Sequence, residues 1–369
     1  MQKLLKNTKQ TLPNISGKKG KRVFVGLSGG VDSAVSAALL KEQGYDVTGV
    51  FIRAWQPDWL ECTWRKERRD AMKISLALGI PFLFLDLEKE YKEGVVDKML
   101  KEYKANRTPN PDVLCNREIK FGHFWQFAKE RGADFIATGH YAQIKDGKLE
   151  ESLDKEKDQS YFLWTLTPED LSHTLFPVGN LQKAQVRELA KKHNIPVAEK
   201  KDSQGICFMG DVGMEEFLSH FIKSKPGKVL NPEGEVIGAH KGLVYYTIGE
   251  RHGFEITKKG ASSGPFYIVS KNVRRNTLTV SDQASEILAL SPKEVVTKDY
   301  SWISKPHSPE ISARIRYRGA KLPCRLNMNG KKLSVTFDEP VRGLSLGQSV
   351  VFYDGETCLG GAVMDKIVS

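Results

Sequence analysis

A chain of 369 residues is longer than one ordinary domain and implies two or three. Its 40% hydrophobic and 27% charged composition is that of a globular protein with a sizeable core, and no run approaches the roughly 20 apolar residues that cross a bilayer. The net charge of +11 favours a polyanionic partner, while five cysteines without a C-x-x-C pair argue against a disulfide scaffold or a standard zinc site and for a reducing cytoplasm.

Residues 1–20 are lysine-rich but lack the apolar core of a signal peptide and the arginines of a transit peptide, so they read as a flexible basic tail. From Lys21 to about His140, apolar β-rich runs ("RVFVGL", "DVTGVFI", "PFLFLDL", "DFIATGH") alternate with stretches whose apolar spacing of three and four predicts helices ("VDSAVSAALLKEQ", "RKERRDAMKISLAL", "REIKFGHFWQFAKERG"). Parallel strands need crossover helices, so this order predicts an α/β, doubly wound parallel sheet. Ligands of such sheets sit at the carboxyl ends of the strands. The loop after the first strand, Ile52 and "TGH" are therefore expected to line one crevice.

"YAQIKDGKLEES" predicts a hairpin turning at Asp146-Gly147, and "VRELAKKHNIPV" a further helix. From about Lys223 the helical periodicity fades and glycine-punctuated runs such as "GLVYYTIGERHGF", "NTLTVS", "KKLSVTF" and "QSVVFYDGETCLGGAVM" predict small β domains, the last barrel-like. The expected division is a catalytic domain over 21–222, a central β-rich domain over 223–290 and a carboxy-terminal β-barrel over 291–369.

The first loop reads "GLSGGVDS": Gly26, Leu27, Ser28, Gly29, Gly30, Val31, Asp32 and Ser33. Its glycines permit close backbone approach, its amides form an anion nest, and the following helix adds its N-terminal dipole. No lysine follows to reach a γ-phosphate, which suits the loop to a pyrophosphate leaving group, with Asp32 placed for magnesium or a capping amide. This string resembles the PP-loop ATP pyrophosphatase superfamily (adenine nucleotide α-hydrolase-like), whose members adenylate an oxygen and let a nucleophile displace AMP.

Two cysteines bear on the nucleophile. Cys115, in "NPDVLCNREIKF", immediately precedes a predicted amphipathic helix, where the dipole and the positive charge of Arg117 and Lys120 would favour a thiolate. Cys207, in "DSQGICFMGD", follows Lys200 and Lys201 behind a glycine. Cys62, Cys324 and Cys358 lack such surroundings and read as structural, small buried hydrophobes.

The strings "NPDVLCN" and "DSQGICF", with "ATGHYA", "KDQSYFLWTL", "FPVGNLQKAQVRELA", "YYTIGERHG", "RIRYRG" and "GQSVVFYDGE", together resemble one family, the tRNA-specific 2-thiouridylases, over residues 21–365. That resemblance implies a tRNA-uridine 2-sulfurtransferase. ATP would sit on Gly26–Ser33 with Ile52 and Gly139 lining the adenosine pocket, and O2 of the wobble uridine would be adenylated. Cys207 would receive sulfur as a persulfide from a donor protein, Cys115 would face the activated base, and a catalytic Cys115–Cys207 disulfide would remain. Asn110, Pro111 and Asp112 would meet the base, with Asp112 handling a proton. Contacts to tRNA would come from His140, Lys157, Asp158, Gln159, Arg316, Tyr317 and Gln348. The expected tRNAs are wobble-uridine species for Lys, Glu and Gln.

In "ISARIRYRG", Arg314, Arg316 and Arg318 alternate, which on a strand would place them on one face as a basic stripe for phosphates. Three rival readings stay open at this point: a PP-loop amidating synthetase, a tRNA-binding protein without catalysis, and an iron-sulfur cluster on Asp112, Cys115 and Cys207.

Overall fold

A computed structural model describes residues 20–201, 212–258, 264–330 and 332–368. The alternating runs of the amino-terminal part build a parallel sheet of β1 (Arg22–Gly26), β2 (Asp46–Arg53), β3 (Phe82–Asp86), β4 (Phe135–Ala137) and β7 (Thr174–Leu175) in the order β3-β2-β1-β4-β7. Both faces are covered. Within β1, Val23 and Val25 join Ala34, Val35 and Ala38 of α1 (Val31–Glu42) in one core, while Phe24 turns the other way to the core of Ile119 and Phe124. This is the period-2 reading of a strand buried on both sides. Helix α2 (Trp64–Leu78) ends where Gly79 adopts the left-handed conformation.

Chain direction across the sheet reverses at β1, which pairs with β2 on one side and β4 on the other. This is the topological switch point at which such sheets bind ligands. The two-residue strand β7 was too short to leave a sequence pattern.

The predicted hairpin forms as β5 (Ala142–Lys145) and β6 (Lys148–Glu151), turning at Asp146 and Gly147, both with positive φ. It joins a different sheet from its neighbours in sequence: Glu150 and Leu149 pair with Thr357 and Cys358 of β18 (Thr357–Val368). Strands β13 (Glu294–Trp302), β16 (Lys332–Phe337), β15 (Leu322–Asn329), β14 (Glu310–Arg314), β17 (Ser349–Asp354) and β18 follow one another in that order, and pairing of β13 with β18 closes them into a barrel.

The central region is a sheet in the order β10 (Glu255–Ile256), β9 (Val236–His240), β8 (Gly227–Leu230), β12 (Thr277–Ser281) and β11 (Tyr267–Asn272). The expected β run "GLVYYTIGERHGF" is not a strand. Leu243–Tyr245 form a 3-10 turn, and the Tyr246 hydroxyl donates to the Gly253 carbonyl, closing the stretch as a loop.

The arginine stripe does not form either, because β14 ends at Arg314 and Arg318 takes a left-handed φ of 58°. Alternation therefore stops after the first arginine. Arg314 points inward and bonds Glu151 Oε1 at 2.8 Å and Asp158 Oδ2 at 2.9 Å, with Lys321 also on Glu151 at 3.0 Å. Removing one partner of a buried ion pair leaves an uncompensated charge, a cost of about 3–5 kcal/mol. Arg314→Met is accordingly expected to lower stability by about that amount, read as an earlier urea midpoint, through the Asp158 carboxylate, which loses its cation at the seam between hairpin and barrel while Glu151 keeps Lys321.

Candidate active site

Helix α1 makes its first intrahelical bond from the Ala34 amide to the Gly30 carbonyl, so the amides of Val31, Asp32 and Ser33 lie ahead of it, at the end of a helix that favours anions. Ser33 Oγ holds the loop: it accepts from the Ser28 amide at 3.3 Å, contacts Ser28 Oγ at 3.3 Å and donates to the Gly30 carbonyl at 3.2 Å. Backbone proximity is enforced by two glycines. A Cβ on Gly29, at φ 74°, would lie 2.6 Å from the Glu67 carbonyl, and one on Gly139 would lie 2.7 Å from the Ser33 amide. Gly139 thus abuts the loop, and Ile52, half-buried at the end of β2, flanks the same switch point.

Two lysines border this loop: Lys183, which sequence reasoning missed, and Lys200, which it read only as a neighbour of Cys207. Lys183, at the start of α5 (Lys183–Lys192), places Nζ 2.6 Å from Asp32 Oδ1, which also accepts from the Tyr141 hydroxyl at 2.9 Å. Lys200 donates to the Gly29 carbonyl at 3.0 Å and to Asp70 Oδ2 at 2.9 Å. Both contacts span more than 150 positions, so no local pattern could reveal them. Asp32 is therefore engaged by a lysine and a phenol rather than capping an amide.

A continuous helix, α4, over 111–130, packs on the face of the sheet to which Phe24 turns. Asn110 caps it, its Oδ1 accepting from the Val113 amide at 3.3 Å, and Pro111 occupies the first helical position. Cys115 is consequently not at the helix start: it lies one turn in, its own amide bonded back to the carbonyls of Pro111 and Asp112. The dipole effect is strongest in the first turn, so less thiolate stabilisation comes from this source than the sequence suggested. Arg117 is also partly offset by its 2.8 Å pair with Glu118. The segment Cys115–His123 widens into π-helical turns, a distortion frequent at functional sites.

Asp112, buried enough that desolvation pushes its carboxyl up against the opposing charge of Lys120, lies on this helix. His140 is 7% exposed, with Nδ1 2.7 Å from Thr138 Oγ1 and Nε2 3.4 Å from Lys120 Nζ. Burial, helped by the Lys120 charge, holds it well below the usual histidine range and hence neutral. An ammonium facing Nε2 can only donate, so Nδ1 carries the proton and donates to Thr138.

The expected tRNA contacts divide. Arg316 is exposed, and Tyr317 is half-buried 4.5 Å from the Phe162 ring with the Arg318 guanidinium over its face. Lys157 and Gln159 are partly exposed, though Gln159 Oε1 accepts from the Tyr141 amide. Asp158 is 2% exposed, and its carboxylate accepts from Ser152, Ser160 and Arg314. Gln348 spends its amide on the carbonyls of Thr108 and Pro109.

Among the other cysteines, Cys324 and Cys358 are buried, with desolvation pushing each thiol up to about 12, as inert structural cysteines should be. Cys62 departs from expectation by being exposed. Cys207 and the tail over 1–19 lie outside the described residues. Among the described residues no three His, Cys, Asp or Glu side chains are grouped to hold a metal ion, and no helix is long and apolar enough to cross a membrane.

A lysine-free glycine loop at the switch point of a parallel sheet, with a cysteine-bearing helix packed on that sheet and a central β-rich region and a closed barrel after it, defines an ATP-using PP-loop enzyme with appended β domains. Family models agree in order along the chain: a "tRNA methyl transferase HUP domain" matches residues 21–211, a "tRNA methyl transferase PRC-barrel domain" 215–282 and an "Aminomethyltransferase beta-barrel domain" 292–364. The tRNA-specific 2-thiouridylase MnmA of Pseudomonas syringae pv. syringae (strain B728a) is 46% identical over 363 residues, 96% of each chain. That of Bacillus subtilis (strain 168) is 46% identical over 94% of this chain and 95% of its own. The chain belongs to the tRNA-specific 2-thiouridylase family.

Proposed function

We propose that the protein is a tRNA sulfurtransferase that converts the wobble uridine to 2-thiouridine at the expense of ATP. ATP lies with its phosphates on the amides of Val31–Ser33 and its adenosine between Ile52 and Gly139. Uridine O2 attacks the α-phosphorus, pyrophosphate leaves, and O2 becomes part of an AMP leaving group. Lys183 neutralises charge that develops on the phosphates. Magnesium arriving with the nucleotide can meet Asp32, the carboxylate on the loop itself, and would supply further charge neutralisation there.

Cys207 carries the sulfur as a persulfide taken from a donor protein. Its outer sulfur reaches C2, the C2–O bond breaks with release of AMP, and the Cys115 thiolate bonds the inner sulfur, leaving a Cys115–Cys207 disulfide that a thiol reductant must reopen. Asp112 handles the proton. Asn110 and Pro111 shape the base pocket with His140 behind them, while Lys157, Gln159, Arg316, Tyr317 and Gln348 face the RNA. The tRNAs are those for Lys, Glu and Gln, and the setting is the cytoplasm.

The geometry that carries this reading is at the flanks of the Cys207 segment. Just before it, Lys200 is bonded to the nucleotide loop; just after it, Val212 and Met214 pack on the core cluster that contains Cys115. The described flanks of Cys207 thus touch the nucleotide loop on one side and a core cluster that includes Cys115 on the other. The test is to incubate protein, ATP, a persulfide donor and wobble-uridine tRNA, and to quantify AMP and 2-thiouridine by nucleoside mass spectrometry. One AMP per 2-thiouridine is the expected result. AMP with an amidated product would favour a nitrogen nucleophile, and tRNA binding without AMP would reduce the protein to a binder.

A further inference from the structure

The residues just upstream of Asn110 are held from three sides. The helix over 88–104 ends, Asn106 turns the chain at φ 57°, and Arg107 then enters the seam between the α/β domain and the barrel. Its guanidinium, with a side chain 14% exposed, uses every nitrogen: Nε bonds Glu102 Oε2 at 2.7 Å, Nη2 donates to the Met364 carbonyl at 2.9 Å, and Nη1 donates to the Asp365 carbonyl at 3.2 Å. Nη2 also pairs with the Asp365 carboxylate at 3.1 Å.

Thr108 is stitched in beside it. Its amide donates to the Leu346 carbonyl at 2.8 Å, and its hydroxyl meets that of Thr247, from the central domain, at 3.2 Å. At Gly347, φ 90°, a Cβ would come within 3.0 Å of the Thr108 carbonyl. Two residues later Asn110 caps the helix that bears Asp112 and Cys115.

Neither unit needs this junction to complete itself. The barrel is closed by β13 on β18, and the α/β domain has one core of its own and shares the other with Val351, Tyr353 and Cys358 of the barrel. The β6–β18 pairing and the shared core already join the two units, and the network adds a tie at the loop that leads into α4.

We propose that Arg107 is a positioning residue for sulfur transfer: by locking the loop before Asn110 to the barrel, it makes the barrel's grip on tRNA set the distance between the bound base and the thiol of Cys115. The inference rests on the sulfur-transfer reading above. Arg107 touches no reacting atom and acts through the backbone of 108–110. A planar fork that satisfies two carbonyls and two carboxylates is something a lysine's point charge cannot reproduce.

The test uses the full chain with Arg107→Ala and Arg107→Lys. Loosening the loop should expose Cys115, so its alkylation by iodoacetamide, mapped by peptide mass, is expected to accelerate about fivefold or more in Arg107→Ala. Single-turnover thiolation at saturating ATP and tRNA should fall about tenfold or more, since misplacement near 1 Å can cost that much, with tRNA affinity held within about twofold. Arg107→Lys should fall between the two. Alkylation and transfer at wild-type rates in folded Arg107→Ala would overturn the proposal. Should that variant not fold, Thr247→Val, which deletes a single hydroxyl contact, must shift both readouts in the same directions, and no shift would equally overturn it. If wild-type protein fails to thiolate at all, the sulfur-transfer reading fails, while the alkylation comparison still reports on the lock.

Discussion

Cys115→Ser and Cys207→Ser are each expected to abolish tRNA thiolation, at different steps. With Cys207→Ser, a labelled persulfide should not load at all. With Cys115→Ser, the label should load on Cys207 and remain there when ATP and tRNA are added. Hydroxyls cannot form or resolve a persulfide, and removing the nucleophile of a covalent mechanism costs about 10³-fold or more. Cys115 is 6% exposed and embedded in the core cluster shared with Val113 and Ile119, so substitution by serine changes little but the sulfur. Cys62→Ser is the control: this exposed thiol lies in the loop after β2, and thiolation should proceed at the wild-type rate. Thiolation by both single mutants would make the two cysteines structural and sink the relay, even with the family assignment intact.

What could be read from the sequence was local. The apolar alternation of "RVFVGL" and its glycine turn fix a strand, loop and helix in consecutive residues, and Asp146-Gly147 demands a tight hairpin through backbone conformation alone. Which sheet that hairpin joins is set by pairing with β18, some 200 residues away, and nothing near it announces the partner. The start of α4 was readable and was placed late. Asn110-Pro111 is an N-cap followed by a first-position proline, so the helix begins four residues before Cys115. For the arginine stripe, a period of two was present but the strand was not, since the chain turns after Arg314. The partners of Asp158 were likewise out of reach of the sequence: its carboxylate accepts from Arg314, 156 positions away, as well as from two serine amides nearby.

Lys183→Ala is expected to slow AMP formation about 10²-fold or more while leaving the protein folded, because a preorganised cation aimed at developing charge is typically worth that much in a dry site. The opening sequence of α1 carries no lysine of its own, and of the two lysines that tertiary folding delivers to the loop, Lys183 is the one bonded to Asp32. Its backbone is held independently of its side chain: the Lys183 amide donates to Asp154 Oδ2 at 2.9 Å, which pins the start of α5 whatever the residue carries. The variant therefore tests charge and not helix docking. Asp32 would keep the Tyr141 hydroxyl but lose its 2.6 Å ammonium partner, adding an uncompensated negative charge beside the phosphates. The loss should consequently exceed that of Lys183→Arg, which retains the charge with a different shape. Measured as single-turnover AMP release at saturating tRNA, a slow Ala variant partly rescued by Arg assigns the phosphate-facing role to Lys183. Equal rates for wild type and Lys183→Ala would confine Lys183 to holding Asp32, and the loop amides with Ser28 and Ser33 would have to supply the anion binding by themselves.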